Sequence, residues 1–164
     1  MKSLFLIRHA KSSWDNTQLT DSERPLNTRG IASIPLMADF LLKRGERIEH
    51  FYSSSAVRTS STAKGIVGKM GYNEQLISHH PELYLASSRE MLRITCGLPD
   101  TLKSAALVGH NPGITEYCEY LTDQHIGNLS TCGIARIDFE TESWKEVSGG
   151  TGKLVFMQVP KELG

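Results

Sequence analysis

Three short stretches of this chain carry side chains suited to holding and moving a phosphoryl group. Arg8-His9-Ala10 follows the apolar run Leu4-Phe5-Leu6-Ile7. Ser54-Ser55-Ala56-Val57-Arg58 and Val108-Gly109-His110-Asn111-Pro112-Gly113 repeat the same order of a strand-like run, then polar or cationic residues. Arginine presents a planar fork of donors that matches phosphate oxygens. Histidine can serve as nucleophile, donor or acid/base near neutral pH. Alone, each stretch is ordinary: an arginine after a strand is usually a surface residue, and a lone histidine is usually structural. Their weight comes from convergence.

That convergence depends on the elements that carry them. Residues 3–7, 49–53 and 104–108 are expected to be strands. The intervening periodicity predicts helices over 28–43 and 56–70, a third opened by the capping-box spacing Ser87-Ser88-Arg89-Glu90 and running through Cys96, and a fourth containing Ile114, Tyr117, Cys118 and Leu121. In the first helix Ile31, Ile34, Ala38, Leu41 and Leu42 are assigned to the buried face, and Pro35 predicts a kink or a late start. In the second, Ala63, Ile66, Val67 and Met70 point inward. The C-terminal third changes character. Residues 134–139 alternate, and Trp144–Val147 and Leu154–Val159 follow as strands around Gly149-Gly150-Thr151-Gly152. The expected fold is α/β, a three-layer α/β/α sandwich with a mostly parallel central sheet and an antiparallel edge, forming one domain over 1–164. In a parallel sheet the carboxyl ends of the strands share one edge, so Arg8, His9, Arg58 and His110 would meet in one crevice. Helix N-termini there favour an anion.

Bulk composition narrows the classes. Lys and Arg total 18 and Asp and Glu total 18, so the chain is neutral, with no basic tract dense enough for nonspecific nucleic-acid binding. Three cysteines without Cys-x-x-Cys spacing fit neither a disulfide framework nor a structural zinc site, and suggest a reducing, cytoplasmic setting. The apolar run before Arg8 is shorter than the roughly 7 apolar residues a signal peptide needs at minimum. No run approaches the ~18 of a membrane span, so no membrane partner is expected. No metal is expected either, because no carboxylate or further imidazole adjoins His9 or His110 at ligand spacing. A monomer is favoured.

Arg8-His9-Ala10 with Lys11 and Trp14, Arg24-Pro25-Leu26 leading to Arg29-Gly30, Ser54–Thr59, Glu82-Leu83-Tyr84 and Val108–Gly113 together resemble the histidine phosphatase superfamily, with its phosphoglycerate mutase-like fold. More narrowly, they resemble its small SixA-type phosphohistidine phosphatases. The resemblance runs in order to about residue 115 and loosens in the closing strands. It implies that His9 is the nucleophile and forms a transient phosphohistidine, while Arg8, Arg58 and His110 hold the transferred oxygens. It implies no cofactor. Glu82 is the best match for the carboxylate that protonates a leaving oxygen in the family's esterases and mutases. Ala10 stands where many members have glycine, and Ser61 where glutamine is common, so contacts at those positions do not carry over.

The polar segment from Asn16 to Asn27 should border the crevice, making Asp21, Glu23 and Arg24 candidates for substrate selection, with Arg24 a candidate phosphate contact. The expected substrate is phosphohistidine on a protein. The alternatives are a small phosphate ester with Glu82 as acid, and a noncatalytic module that recognises phosphate.

Overall fold

The computed structural model describes residues 1–164. Six strands, β1 (Lys2–Arg8), β2 (Phe51–Ser54), β3 (Ile77–His80), β4 (Ser104–Gly109), β5 (Ile134–Phe139) and β6 (Gly152–Gln158), form one sheet in the order β3-β2-β4-β1-β5-β6. The first four are mutually parallel, and β5 and β6 add antiparallel at one side. Four helices, α1 (Thr28–Lys43), α2 (Val57–Lys69), α3 (Ser88–Cys96) and α4 (Gly113–Thr122), connect and cover them.

The pleat sorts the central strands between two cores. Leu4, Leu6, Ala105 and Leu107 pack with Met91 of α3 and with Ile114, Tyr117, Cys118 and Leu121 of α4. Phe5, Ile7, Ala106 and Val108 pack on the opposite face with Ile34, Met37, Ala38 and Leu41 of α1 and Ala63, Ile66 and Val67 of α2. Both faces of β1 and β4 are therefore buried, which is why these strands are continuous apolar runs rather than alternating ones. The result is the expected α/β/α sandwich with a mixed sheet.

Several local expectations need correction. The buried face of α1 is Gly30, Ile34, Met37, Ala38 and Leu41, whereas Ile31 and Leu42 are exposed. The rotation is set by Gly30: a Cβ there would lie 2.1 Å from the Lys11 carbonyl oxygen, so this side of the helix must face β1's exit. Pro35 does not mark a late start: α1 begins at Thr28 and continues through it. It lies on the exposed side, where water can replace the missing helical donor. Trp144–Glu146 is a 3₁₀ turn, not a strand. Its apolar character reflects Trp144, which is buried and donates Nε1–H to the Leu102 carbonyl at 3.0 Å. Strand β3, with two histidines in four residues, was not anticipated. At α3, Ser87 accepts the Glu90 N–H, but the Glu90 carboxylate turns to Arg93 at 3.3 Å, so only half the capping box forms.

Candidate active site

The parallel register sets Arg8 opposite Gly109, and the His9 N–H donates to the Gly109 carbonyl at 3.1 Å. His9 and His110 thus leave adjacent strands side by side, with ring centroids 5.3 Å apart. Strand β2 ends at Ser54 on the same edge, and α2 starts at Val57, so Arg58 falls on its first turn. Thr62 fastens the two units: its hydroxyl accepts the Ala10 N–H at 2.9 Å and donates to the Arg58 carbonyl at 2.7 Å. Helix α4 begins at Gly113, where a Cβ would lie 1.9 Å from the Ala86 carbonyl oxygen. Only glycine permits that approach, which brings Leu85 to the mouth of the crevice. The crevice holds about 390 Å³ and is lined by Arg8, His9, Arg24, Arg58 and His110, among others.

The two histidines are in defined states. His9 Nδ1 lies 2.8 Å from the Ala10 carbonyl, which can only accept, so Nδ1 carries the proton and Nε2 keeps its lone pair. Burial, reinforced by the charges of Arg58 and Arg8, holds the His9 pKa down to about 4, so the ring is neutral near pH 7. His110 is lowered to about 3 by burial, with Arg58 and His9 adding to it. Ser54 Oγ accepts the Ala56 N–H at 3.3 Å and lies 2.8 Å from His110 Nε2. Nε2 is the one acceptor within reach of the Ser54 hydroxyl proton, and donation there places the proton of the neutral His110 ring on Nδ1.

Three buried side-chain nitrogens have no hydrogen-bond partner: Arg8 Nε, Arg58 Nε and His110 Nδ1. All belong to residues lining this crevice. Neighbouring nitrogens of the two arginines are tied to the protein. Arg8 Nη1 donates to the Leu129 carbonyl at 3.0 Å. Arg58 Nη1 donates to the Asp21 carbonyl at 2.7 Å, and Nη2 to the Asp21 carboxylate at 2.9 Å. A buried donor left unpaired is costly, so three in one crevice form a cradle for an anion.

Asp21 is the carboxylate of this crevice. It also accepts from Arg24 Nε at 3.2 Å and from the Tyr84 hydroxyl. The Tyr84 hydrogen bond, with Arg58 and Arg24, holds it down to about 2, so it is ionised at any physiological pH. Glu82, the expected acid, is elsewhere. It sits in the 3₁₀ turn Pro81–Leu83 after β3, outside the crevice lining, with Oε1 3.1 Å from His80 Nδ1. The physical reason is the unanticipated strand: β3 ends at His80, and the imidazole captures the carboxylate two residues on. Glu23 likewise turns away, to the N–H and hydroxyl of Thr20. Arg24 lines the crevice as expected, with Nε donating to Asp21 and Nη1 to Ser12 and Ser13. Sequence reasoning named Asp21 for substrate selection and missed its grip on Arg58; it gave Ser54 no role as a partner of His110. The offset of three between Asp21 and Arg24 was the one available signal. No three His, Cys, Asp or Glu side chains cluster as a metal ion requires.

Comparison with known proteins places this geometry. Residues 4–84 match the model of the histidine phosphatase superfamily (branch 1). An uncharacterized chloroplastic protein of Arabidopsis thaliana is 30% identical over 92% of this chain and 72% of its own length. The chain belongs to the histidine phosphatase superfamily. This histidine phosphatase is similar to the Agrobacterium tumefaciens protein provisionally assigned as the phosphohistidine phosphatase SixA, with 25% identity, a TM-score of 0.82, and 97% and 98% of the two chains covered. A protein histidine phosphatase SixA solved with tungstate shares the fold at 21% identity, with a TM-score of 0.81 and 99% of each chain covered. The chain is a phosphatase of SixA-like architecture. His110 lies beyond the matched residues, yet the β1–β4 register delivers it to His9.

Proposed function

We propose that this phosphatase removes the phosphoryl group from phosphohistidine on a protein, with His9 as the transient acceptor and no metal ion taking part. The unpaired nitrogens of Arg8, Arg58 and His110 support the anion cradle. In the first step the Nε2 lone pair of His9 attacks phosphorus and the bond from phosphorus to the substrate nitrogen breaks. In the second, water attacks phosphorus, the P–Nε2 bond breaks, inorganic phosphate leaves and His9 returns to neutral. Arg8, Arg58 and His110 act by positioning and by stabilising charge on the three transferred oxygens.

The observation that carries the choice of substrate is Asp21. It is the crevice's carboxylate, and its pKa of about 2 leaves it no proton to give. An alkyl phosphate departs as an alkoxide and needs an acid beside it. A phosphorylated imidazole departs as a neutral ring once its other nitrogen is protonated, and needs none. The open crevice also suits a substrate presented on a protein surface.

The test compares kcat/KM on a phosphohistidine peptide and on a simple alkyl phosphate, each with and without a chelator. The reading expects a strong preference for the peptide that survives chelation. Faster hydrolysis of the alkyl phosphate, or loss of activity in chelator, would overturn it.

A further inference from the structure

The mouth of the crevice has an apolar lip that phosphoryl transfer does not use. Trp14 is 73% exposed and Leu85 is 56% exposed, and both line the same crevice as His9 and Arg58. Leu85 has φ 51°, in the left-handed region that a branched apolar residue rarely adopts. Strain of this kind is kept where the surrounding structure enforces it, and clusters at ligand clamps. Trp14 stacks its indole on the Arg24 guanidinium, with 3.5 Å between the ring centroid and Cζ. Arg24 is buried and fixed by Asp21, Ser12 and Ser13, so the indole rests on a rigid floor while most of its surface meets solvent. What sets these two exposed apolar side chains apart is their place: both line the crevice that holds His9, where a bound carrier would take them out of water.

An adjoining recess says what kind of molecule that is. A recess of about 160 Å³ adjoins the crevice through Lys11 and Thr131, and Lys11, Arg29 and Lys161 line it without a carboxylate among them. Apolar side chains at the crevice and cations in the recess that adjoins it match a polypeptide, which carries apolar and acidic side chains next to the phosphorylated residue. We propose that Trp14 and Leu85 grip the protein that carries the phosphoryl group, taking an apolar side chain beside the phosphorylated residue while carboxylates of the same segment face Lys11, Arg29 and Lys161. This rests on the phosphatase reading of the crevice and adds the surface that selects the carrier.

The two tryptophans make the test direct, because Trp144 is 0% exposed and Trp14 alone meets solvent. Acrylamide quenching is measured on the intact protein with a peptide bearing a phosphoryl-triazole in place of phosphohistidine, flanked by leucine and glutamate. The peptide should shield Trp14, and inorganic phosphate should not. A bound peptide that leaves quenching unchanged would overturn the proposal. In kinetics, Trp14→Ala should lower the ratio of kcat/KM on a phosphohistidine peptide to that on phosphoramidate by about tenfold, the effect of one good aromatic contact. Trp14→Phe should restore most of it. An equal fall on both substrates would mean that Trp14 merely supports Arg24, and an unmoved ratio would mean it does nothing for the carrier. Failure of the broader phosphatase reading would show differently, as wild-type protein inactive on both substrates, and the quenching measurement would still decide the lip.

Discussion

At the amino end of the sheet lies a cavity of about 580 Å³ bordered by Ser3, Glu46, Glu49 and Arg136; at the carboxyl end lies the 390 Å³ crevice around His9. The first is larger and equally rich in charge, yet its less exposed charges are matched. Arg136 Nη1 reaches both oxygens of Glu46, at 2.8 and 2.9 Å, and its Nε and Nη2 each reach Asp138 at 3.0 Å. Glu49 accepts the N–H groups of Lys103 and Ser104 at 2.6 and 3.1 Å. The second leaves three buried nitrogens unpaired. Neither volume nor charge separates a functional crevice from a structural one here. What separates them is whether the buried donors already have acceptors.

Substitutions on the two sides should therefore separate cleanly. The largest effect is expected in the crevice: Arg58→Ala or His110→Ala should cost roughly 10²–10³ in kcat/KM, the usual loss for one donor to a developing charge, with little change in Tm. A loss of only a few-fold would remove the contrast. Asp21→Asn should cost less, about tenfold, by loosening Arg58. Because it acts through that residue, Asp21→Asn combined with Arg58→Ala should be no slower than Arg58→Ala alone. At the opposite end, Arg136→Met leaves Glu46, 4% exposed, without its principal partner. It should destabilise the fold by on the order of 2 kcal/mol, seen as a Tm lower by roughly 4–8 °C, with kcat/KM unchanged. Glu82→Gln should change neither quantity, since Glu82 faces His80 outside the crevice.

The pH dependence sharpens the same contrast. His9 and His110 have folded-state pKa values of about 4 and about 3, below the ordinary imidazole value of 6.5. As pH falls below that value the unfolded chain takes up protons that the folded crevice refuses, so stability declines from about pH 6.5 toward pH 4 and 3. Asp21 acts in the same direction at lower pH: its contribution is intact above the ordinary carboxylate value of 3.8 and is lost as pH falls toward 2. Imidazole NMR titration should find His9 neutral at pH 5.5. A His9 midpoint near 6.5 would contradict the burial argument.

Much of the crevice was legible because its parts sit at strand ends. The apolar runs before Arg8 and before Gly109 read as buried strands, and parallel strands share an edge, so the pairing of His9 with His110 across a hundred residues follows from the sequence. Arg58 followed from the turn between β2 and α2. What escaped depended on side chains choosing among partners. His80 captured Glu82, and Asp21 took Arg58 and Arg24 together, because loop conformation set those distances and no periodicity encodes it. Strand β3 escaped because it has only four residues, half of them histidine, and is held by pairing with β2 rather than by an apolar pattern. On α1, Ile34, Ala38 and Leu41 are buried as expected, but Ile31 and Leu42 are not, because a backbone contact at Gly30, invisible to hydrophobic counting, fixes the helix's rotation.

His9 Nε2, as the proposed phosphoryl acceptor, is the atom on which the mechanism turns. Brief exposure to ³²P-labelled phosphoramidate, followed by rapid denaturation and peptide mapping, tests this directly. The expected result is label on the peptide containing His9, stable in base, labile in acid, and absent from His9→Ala. Label on another residue, or His9→Ala protein retaining full turnover, would contradict it.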